Sequence, residues 1–275
     1  MCCAFLCFAL LWLVFALVGN RYHLVVLWGH FVYGQFCTHY TFFNWMSCYL
    51  NLSSFLGFIR LWAHECLRVF HDRLIDDQDR TRFHDLIGKT AQDHFKIDYS
   101  IIKGDYSSIL YGNFGNPKSV VKHYTELGDR KSLQMVMEAY LMDHNITAST
   151  RMNLVLFESA VEHIARISRI INQPYGNALL VGVGGSGRKS LSILAVHIAE
   201  YSLFTIEITK SYGLSDWRED IKTMMNRAGV QNKPTVFLID DTQIVRESFL
   251  EDINGILNTG EVANLFNSEE TGKLV

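Results

Sequence analysis

Gly182-Val183-Gly184-Gly185-Ser186-Gly187-Arg188-Lys189-Ser190 is the stretch that decides how this 275-residue chain folds. Before it runs Ala178-Leu179-Leu180-Val181, apolar and of strand length; after it Leu191, Leu194, Ala195 and Ile198 recur at helical spacing. A strand, a glycine-rich loop and a helix in that order make a phosphate cradle. The glycines let backbone N–H groups converge on an anion, and the helix N-terminus adds partial positive charge. The spacing fits G-x-x-x-x-G-K-[ST] with two departures. With Gly182 and Gly187 as the two glycines, Arg188 stands at the lysine position and Lys189 at the serine/threonine position. Arg188 still brings charge to the β- and γ-phosphates, as a planar fork rather than a compact ammonium. The hydroxyl lost at 189 is the group that normally ligands Mg²⁺, and Ser190 comes one residue late. The same glycines also carry the weaker G-x-G-x-x-G dinucleotide spacing, and an ordinary glycine turn is the plainer alternative.

Roughly fifty residues on, Thr235-Val236-Phe237-Leu238-Ile239 forms a second apolar strand and ends in Asp240-Asp241. A buried strand of this kind delivers Asp240 to the mouth of a sheet, where it can hold Mg²⁺, and Asp241 beside it can polarise an attacking water. The alternative is a pair of carboxylates that merely caps the strand. A guanine site is disfavoured, because Asn232-Lys233-Pro234-Thr235 has threonine where N-K-x-D needs its aspartate. The two motifs in this order reinforce each other as a nucleoside triphosphate site.

Composition sets the limits around them. With 25 Lys+Arg against 28 Asp+Glu the net charge is -3, without the basic surplus that nucleic acid or anionic lipid demands. Residues 1–59 hold a single charged residue, Arg21, among 16 Phe, Tyr and Trp; the other 52 of the 53 charges lie in the remaining 216 positions. Residues 1–18 are uninterruptedly apolar, near the lower length limit of a membrane-spanning helix. No Lys or Arg precedes them and no small-x-small cleavage pattern follows, so a secretory leader is disfavoured. Two readings stand for residues 1–57: a membrane anchor, or sequence that is not native protein, such as a translated intron. Of the six cysteines only Cys66 lies beyond this segment, which argues against a disulfide scaffold and for a reducing compartment.

From Phe58 the pattern turns helical, with Leu61, Trp62, Cys66, Val69, Phe70 and Leu74 on one face and Arg60, Glu65, Arg68, Asp72 and Arg73 on the other. The run Asp76-Asp77-Gln78-Asp79-Arg80 caps a second helix through 82–87. Residues 98–128 are rich in loops, with a turn at Asn116-Pro117, and helical spacing returns at 132–143 and 152–171. His64, His71, His94, His123, His144, His163 and His197 show no metal-ligand spacing with one another and read as surface or packed residues.

Taken together, Gly176-Asn177 through Arg188, then Tyr212-Gly213, Trp217-Arg218-Glu219-Asp220, Thr242-Gln243-Ile244 and the run from Ser248 to Val262 resemble the fourth AAA+ module of axonemal dynein heavy chains. Upstream, Leu61-Trp62-Ala63-His64-Glu65 and Arg68 to Leu74 resemble the helical lid of the third module. Met152 to Phe157 and Arg166-Ile167-Ser168-Arg169 resemble the helix entering the fourth. The resemblance covers residues 58–268 and leaves out 1–57.

It implies an α/β fold: an incomplete AAA+ P-loop NTPase core, preceded by a helical lid and linker and by the atypical apolar segment. In these terms 58–150 is the third module's lid and linker, and 151–275 is a truncated large subdomain of the fourth. The resemblance implies that Gly182, Val183, Gly184, Gly185, Ser186, Gly187, Arg188, Lys189 and Ser190 bind ATP, that Asp240 holds Mg²⁺ and that Asp241 is the catalytic carboxylate. Modules that hydrolyse well carry glutamate at the Asp241 position, so a regulatory site of weak or no turnover is implied. Arg68 is a candidate nucleotide-sensing arginine of the lid.

With 94 residues from Gly182 to Val275, the resemblance implies that the family's sensor strand, arginine finger, own lid, stalk and main hydrolytic module are expected outside this sequence. The implied partners are other dynein subunits and the rest of the heavy-chain ring, with microtubules reached only indirectly and no nucleic acid. The implied location is the cytoskeleton of the ciliary axoneme. The rivals are a non-hydrolysing dynein-associated fragment and a P-loop protein anchored in a membrane through residues 1–18.

Overall fold

The computed structural model describes residues 55–103, 109–119, 121–148, 150–174, 176–267 and 270. The chain divides into two compact units, Met1–Gly128 and Asp129–Val275. The expectations placed on residues 1–54, the membrane-inserting helix among them, lie outside the described residues. Among those described, no helix is long and apolar enough to cross a membrane.

In the first unit helices α1 (Phe55–Val69), α2 (Asp77–Thr90) and α3 (Tyr99–Lys103) precede a short antiparallel hairpin. Its strands, β1 (Tyr111–Gly112) and β2 (Thr125–Glu126), pair Tyr111 with Glu126. Helix α1 departs from the expected one-sided amphipathic pattern. Apart from Arg60, every residue from Phe58 to Leu67 is buried, His64 and Glu65 included. Their polar atoms find partners far along the chain. His64 Nδ1 lies 2.9 Å from the Ile109 carbonyl and its Nε2 3.2 Å from the Tyr124 hydroxyl, which donates to Glu65 Oε1 at 3.0 Å. A buried carboxylate is tolerated only with such partners. Outside this network Arg60 forms an ion pair with Glu126 on β2.

Tyr124→Phe takes one hydrogen bond from both His64 and Glu65, and the expected cost is about 1–3 kcal/mol of stability. Chemical denaturation followed by amide exchange in α1 measures it; an unchanged midpoint would mean that water replaces the hydroxyl.

Helix α2 begins where the acidic run placed it, and Asp76 is its N-cap residue. Asp76 caps through its backbone, since the Arg80 N–H donates to its carbonyl at 3.0 Å, while the Arg80 guanidinium reaches back to the Leu74 carbonyl. At Asn116-Pro117 the expected turn forms, with the Lys118 and Ser119 N–H groups both donating to Asn116.

The second unit opens with a three-helix layer: α4 (Arg130–Thr147), α5 (Glu158–Ile171) and α6 (Arg188–Ile198). Each buries an apolar stripe at helical spacing: Leu133, Met137 and Tyr140 from α4, Val161, Ile164 and Ile167 from α5, Leu191, Leu194 and Ile198 from α6. The helix expected from residue 152 begins only at Glu158. Asn145 explains the delay, because its side-chain amide bonds both the N–H and the carbonyl of Met152 at 2.8 and 2.9 Å.

Next come β3 (Ser202–Phe204), α7 (Leu214–Met225), β4 (Thr235–Phe237) and α8 (Glu247–Thr259). Strands β3 and β4 are parallel neighbours in register Ser202 to Thr235, Leu203 to Val236 and Phe204 to Phe237. Against them packs a core of Phe204, Ile206, Trp217, Ile221, Met224, Phe249 and Leu265. Trp217 and Phe249 are stacked 4.4 Å apart with rings within 7° of parallel.

Residues 178–181, expected as a strand, do not form one. Leu179 and Val181 are 89% and 84% exposed, and no described strand runs beside them. An apolar run supplies strand propensity, but a ladder needs a neighbour to satisfy its backbone groups.

Candidate phosphate-binding site

The loop has the backbone that a phosphate nest requires. Gly185 and Gly187 lie at φ +76° and +80°, left-handed conformations that only glycine adopts freely. Gly187 is the N-cap residue of α6, its carbonyl accepting from the Leu191 N–H at 2.8 Å. A Cβ at Gly184 or Gly185 meets no protein atom within 4 Å, so this face of the loop is open. The nest therefore sits at the N-terminus of an eleven-residue helix, where the unsatisfied N–H groups gather.

The two basic residues behave differently. Arg188 turns back: Nη1 donates to the Leu180 carbonyl and Nη2 to the Val183 carbonyl, both at 3.2 Å. Its guanidinium clasps the segment entering the loop. The second apolar strand, expected through Ile239, ends at Phe237 and is half-buried, so Asp240 stands beyond β4; Lys189 reaches across 51 positions of sequence to it, its Nζ donating to Asp240 Oδ2 at 2.9 Å. Ser190 lies in the first turn of α6, half-buried.

At the carboxylate end, Asp240 is engaged on both oxygens, Oδ2 by Lys189 and Oδ1 by the Thr242 hydroxyl. The Thr242 hydrogen bond and then Lys189 hold its carboxyl below the usual range. Asp240 also opens a capping box: its N–H donates to Gln243 Oε1 at 2.8 Å and the Gln243 N–H to its carbonyl at 3.0 Å. Gln243 Nε2 in turn donates to the Ile206 carbonyl at 2.6 Å, tying the end of β4 to the segment that follows β3. Asp241 begins the short turn Asp241–Gln243 and is exposed at the same mouth.

The Lys189–Asp240 contact thus joins the loop, Gly182 to Ser190, to the corner that holds Asp240 and Asp241, while Arg188 turns back onto the segment entering the loop. Gln243 and Thr242 were not singled out as site residues, although D-x-x-Q at 240–243 is a capping-box signature that could have found them. The loop fits a polyphosphate. The donor set fits a divalent cation poorly: the hydroxyl position is a lysine, and that lysine occupies the carboxylate expected to hold Mg²⁺. Elsewhere, Arg68 is ion-paired with Asp72 at 3.3 Å in the first unit.

A glycine loop capping a helix, with a carboxylate from the segment after a parallel strand held against it by Lys189, has the layout of a P-loop core that lacks its first strand. Residues 152–275 match the family described as P-loop containing dynein motor region D4. Dynein axonemal heavy chain 1 of Homo sapiens and of Mus musculus are each 46% identical over 217 residues, 79% of this chain. Dynein axonemal heavy chain 3 of Mus musculus is 46% identical over 236 residues, 82% of this chain. The chain belongs to the axonemal dynein heavy chain family, and it spans about 5–6% of the length of these relatives.

Proposed function

We propose that the second unit is a regulatory ATP site of an axonemal dynein heavy chain, placed in the ring of the motor and acting on microtubules only through the rest of that ring. In this reading 58–150 is the lid and linker of the third AAA+ module and 151–275 the large subdomain of the fourth, working in the ciliary axoneme. Gly182 to Ser190 cradle the phosphates, and Asp240 is the carboxylate facing the loop. The observation that supports this best is the meeting of the two motifs, with the left-handed glycine loop at the start of α6 and Lys189 2.9 Å from Asp240.

Two features favour control over power production. The Arg188 charge is spent on the Leu180 and Val183 carbonyls. Asp241 carries a carboxylate one methylene shorter than the glutamate implied for strongly hydrolysing modules. Backbone N–H groups bind and orient the phosphates, and Asp241 accepts a proton from the attacking water, slowly.

Titration of the full chain with a fluorescent ATP analogue tests the reading; no signal at millimolar nucleotide rejects it. Asp241→Asn should lower the residual turnover on the order of 10²-fold while leaving nucleotide affinity as it was. Turnover that survives the substitution unchanged removes Asp241 as the base.

A further inference from the structure

We propose that Lys189 is the resident cation of this site, its ammonium anchored on Asp240 and meeting the phosphates in place of Mg²⁺, so that nucleotide binds here without a divalent metal. The inference rests on the nucleotide-site reading above and adds what neutralises the phosphates.

Three observations carry it. The first is position: Lys189 stands at the residue whose hydroxyl, in the general motif, ligands the metal. The second is geometry. Lys189 Nζ lies 2.9 Å from Asp240 Oδ2, and Asp240 Oδ1 accepts from Thr242, so both oxygens that the cation would use already have donors. A Mg²⁺ ion at its usual ~2.1 Å from Oδ2 would share one oxygen with an ammonium, and the two positive charges would repel at close range. The third is access. The Lys189 side chain is 57% exposed, so the ammonium has N–H groups left to donate to phosphate oxygens, while Asp240 fixes its direction. The other basic residue of the loop cannot take this role, because the Arg188 guanidinium faces the Leu180 and Val183 carbonyls.

The Mg²⁺ expected on Asp240 is thereby replaced by a side chain covalently part of the loop. Unlike a metal, this cation cannot be removed by chelation, and its charge is single rather than double. Affinity for the nucleotide should accordingly follow residue 189 and ignore the metal concentration.

The test is a titration of the full chain with a fluorescent ATP analogue, once in EDTA and once in millimolar MgCl₂. The expected result is the same affinity in both, to within about threefold. Lys189→Ser restores the hydroxyl and frees Asp240, and should make binding metal-dependent, at least about tenfold weaker in EDTA than in MgCl₂. Lys189→Gln provides neither charge nor metal ligand and should bind weakly in both; circular dichroism confirms that each variant is folded. Wild-type binding that collapses in EDTA overturns the inference and leaves the nucleotide site standing. Wild-type chain that binds in neither condition overturns the site itself.

Discussion

Gly187→Val should abolish nucleotide binding, weakening it by more than about 10²-fold. A β-branched residue in the left-handed region costs upwards of 1–2 kcal/mol, and Gly187 sits there at φ +80°. The neighbouring protein does not forbid the substitution, since a Cβ meets only Leu191 Cγ at 3.9 Å. The damage comes from the backbone, which must leave the left-handed region and turn its N–H groups away from the nest. Gly182→Ala is the matched control: its Cβ meets Ser186 Oγ at 3.5 Å and Arg188 Cδ at 3.6 Å, ordinary contacts, so binding should fall only slightly. The same fluorescent titration reads both. A folded Gly187→Val chain with wild-type affinity would falsify the assignment of this loop as the cradle.

The second large effect is on stability. Trp217 is completely buried, stacked on Phe249, and its indole N–H donates to Asp252 Oδ2 at 2.9 Å. Trp217→Ala should cost the second unit about 3–5 kcal/mol, the usual loss for a large aromatic truncated in a core. That is a large part of the ~5–15 kcal/mol that holds a typical domain together. Because the chain has two units, a single unfolding midpoint would blend them, and amide exchange over α7 and β4 is the better measure. Protection there should fall by about 10²-fold or more. Trp217→Phe keeps an aromatic ring at this place and loses the bond to Asp252, and should cost about 1–2 kcal/mol. Wild-type protection in the alanine variant would show that the stack is not what holds this core. Trp217 also lies 6.2 Å from the Phe237 ring on β4, so loosening it should loosen the strand that leads to Asp240.

The site was legible where its chemistry is local. Glycines at fixed offsets, a basic pair and an apolar run followed by two aspartates announce themselves in the one-dimensional sequence, and Lys189 joins the glycine loop to Asp240. Helices α1 and α4 were legible from the spacing of their apolar residues, as was the stripe of α5, and α2 from the acidic run that caps it. What sequence reading missed depends on residues far apart in the chain. Glu65 looked like a solvent-facing charge because its partner Tyr124 lies 59 residues away. Lys189 looked like a misplaced motif residue because Asp240 is 51 residues away. Residues 178–181 had the composition of a strand, but pairing is decided by what lies alongside, which composition does not encode. The late start of α5 came from Asn145, a side chain in the preceding helix.

Arg188 bears on how tightly the loop can grip. A flexible glycine loop loses conformational entropy when it closes on an anion, and that loss subtracts from affinity. Here the guanidinium joins the carbonyls at 180 and 183, on both sides of the turn into Gly182, and restrains the entry to the loop through the chain's own contacts. Less freedom remains to be lost when phosphate arrives. In the proposed site the residue that departs from the usual lysine would act by preorganisation, and its replacement by lysine would trade a stiff entrance for a mobile charge.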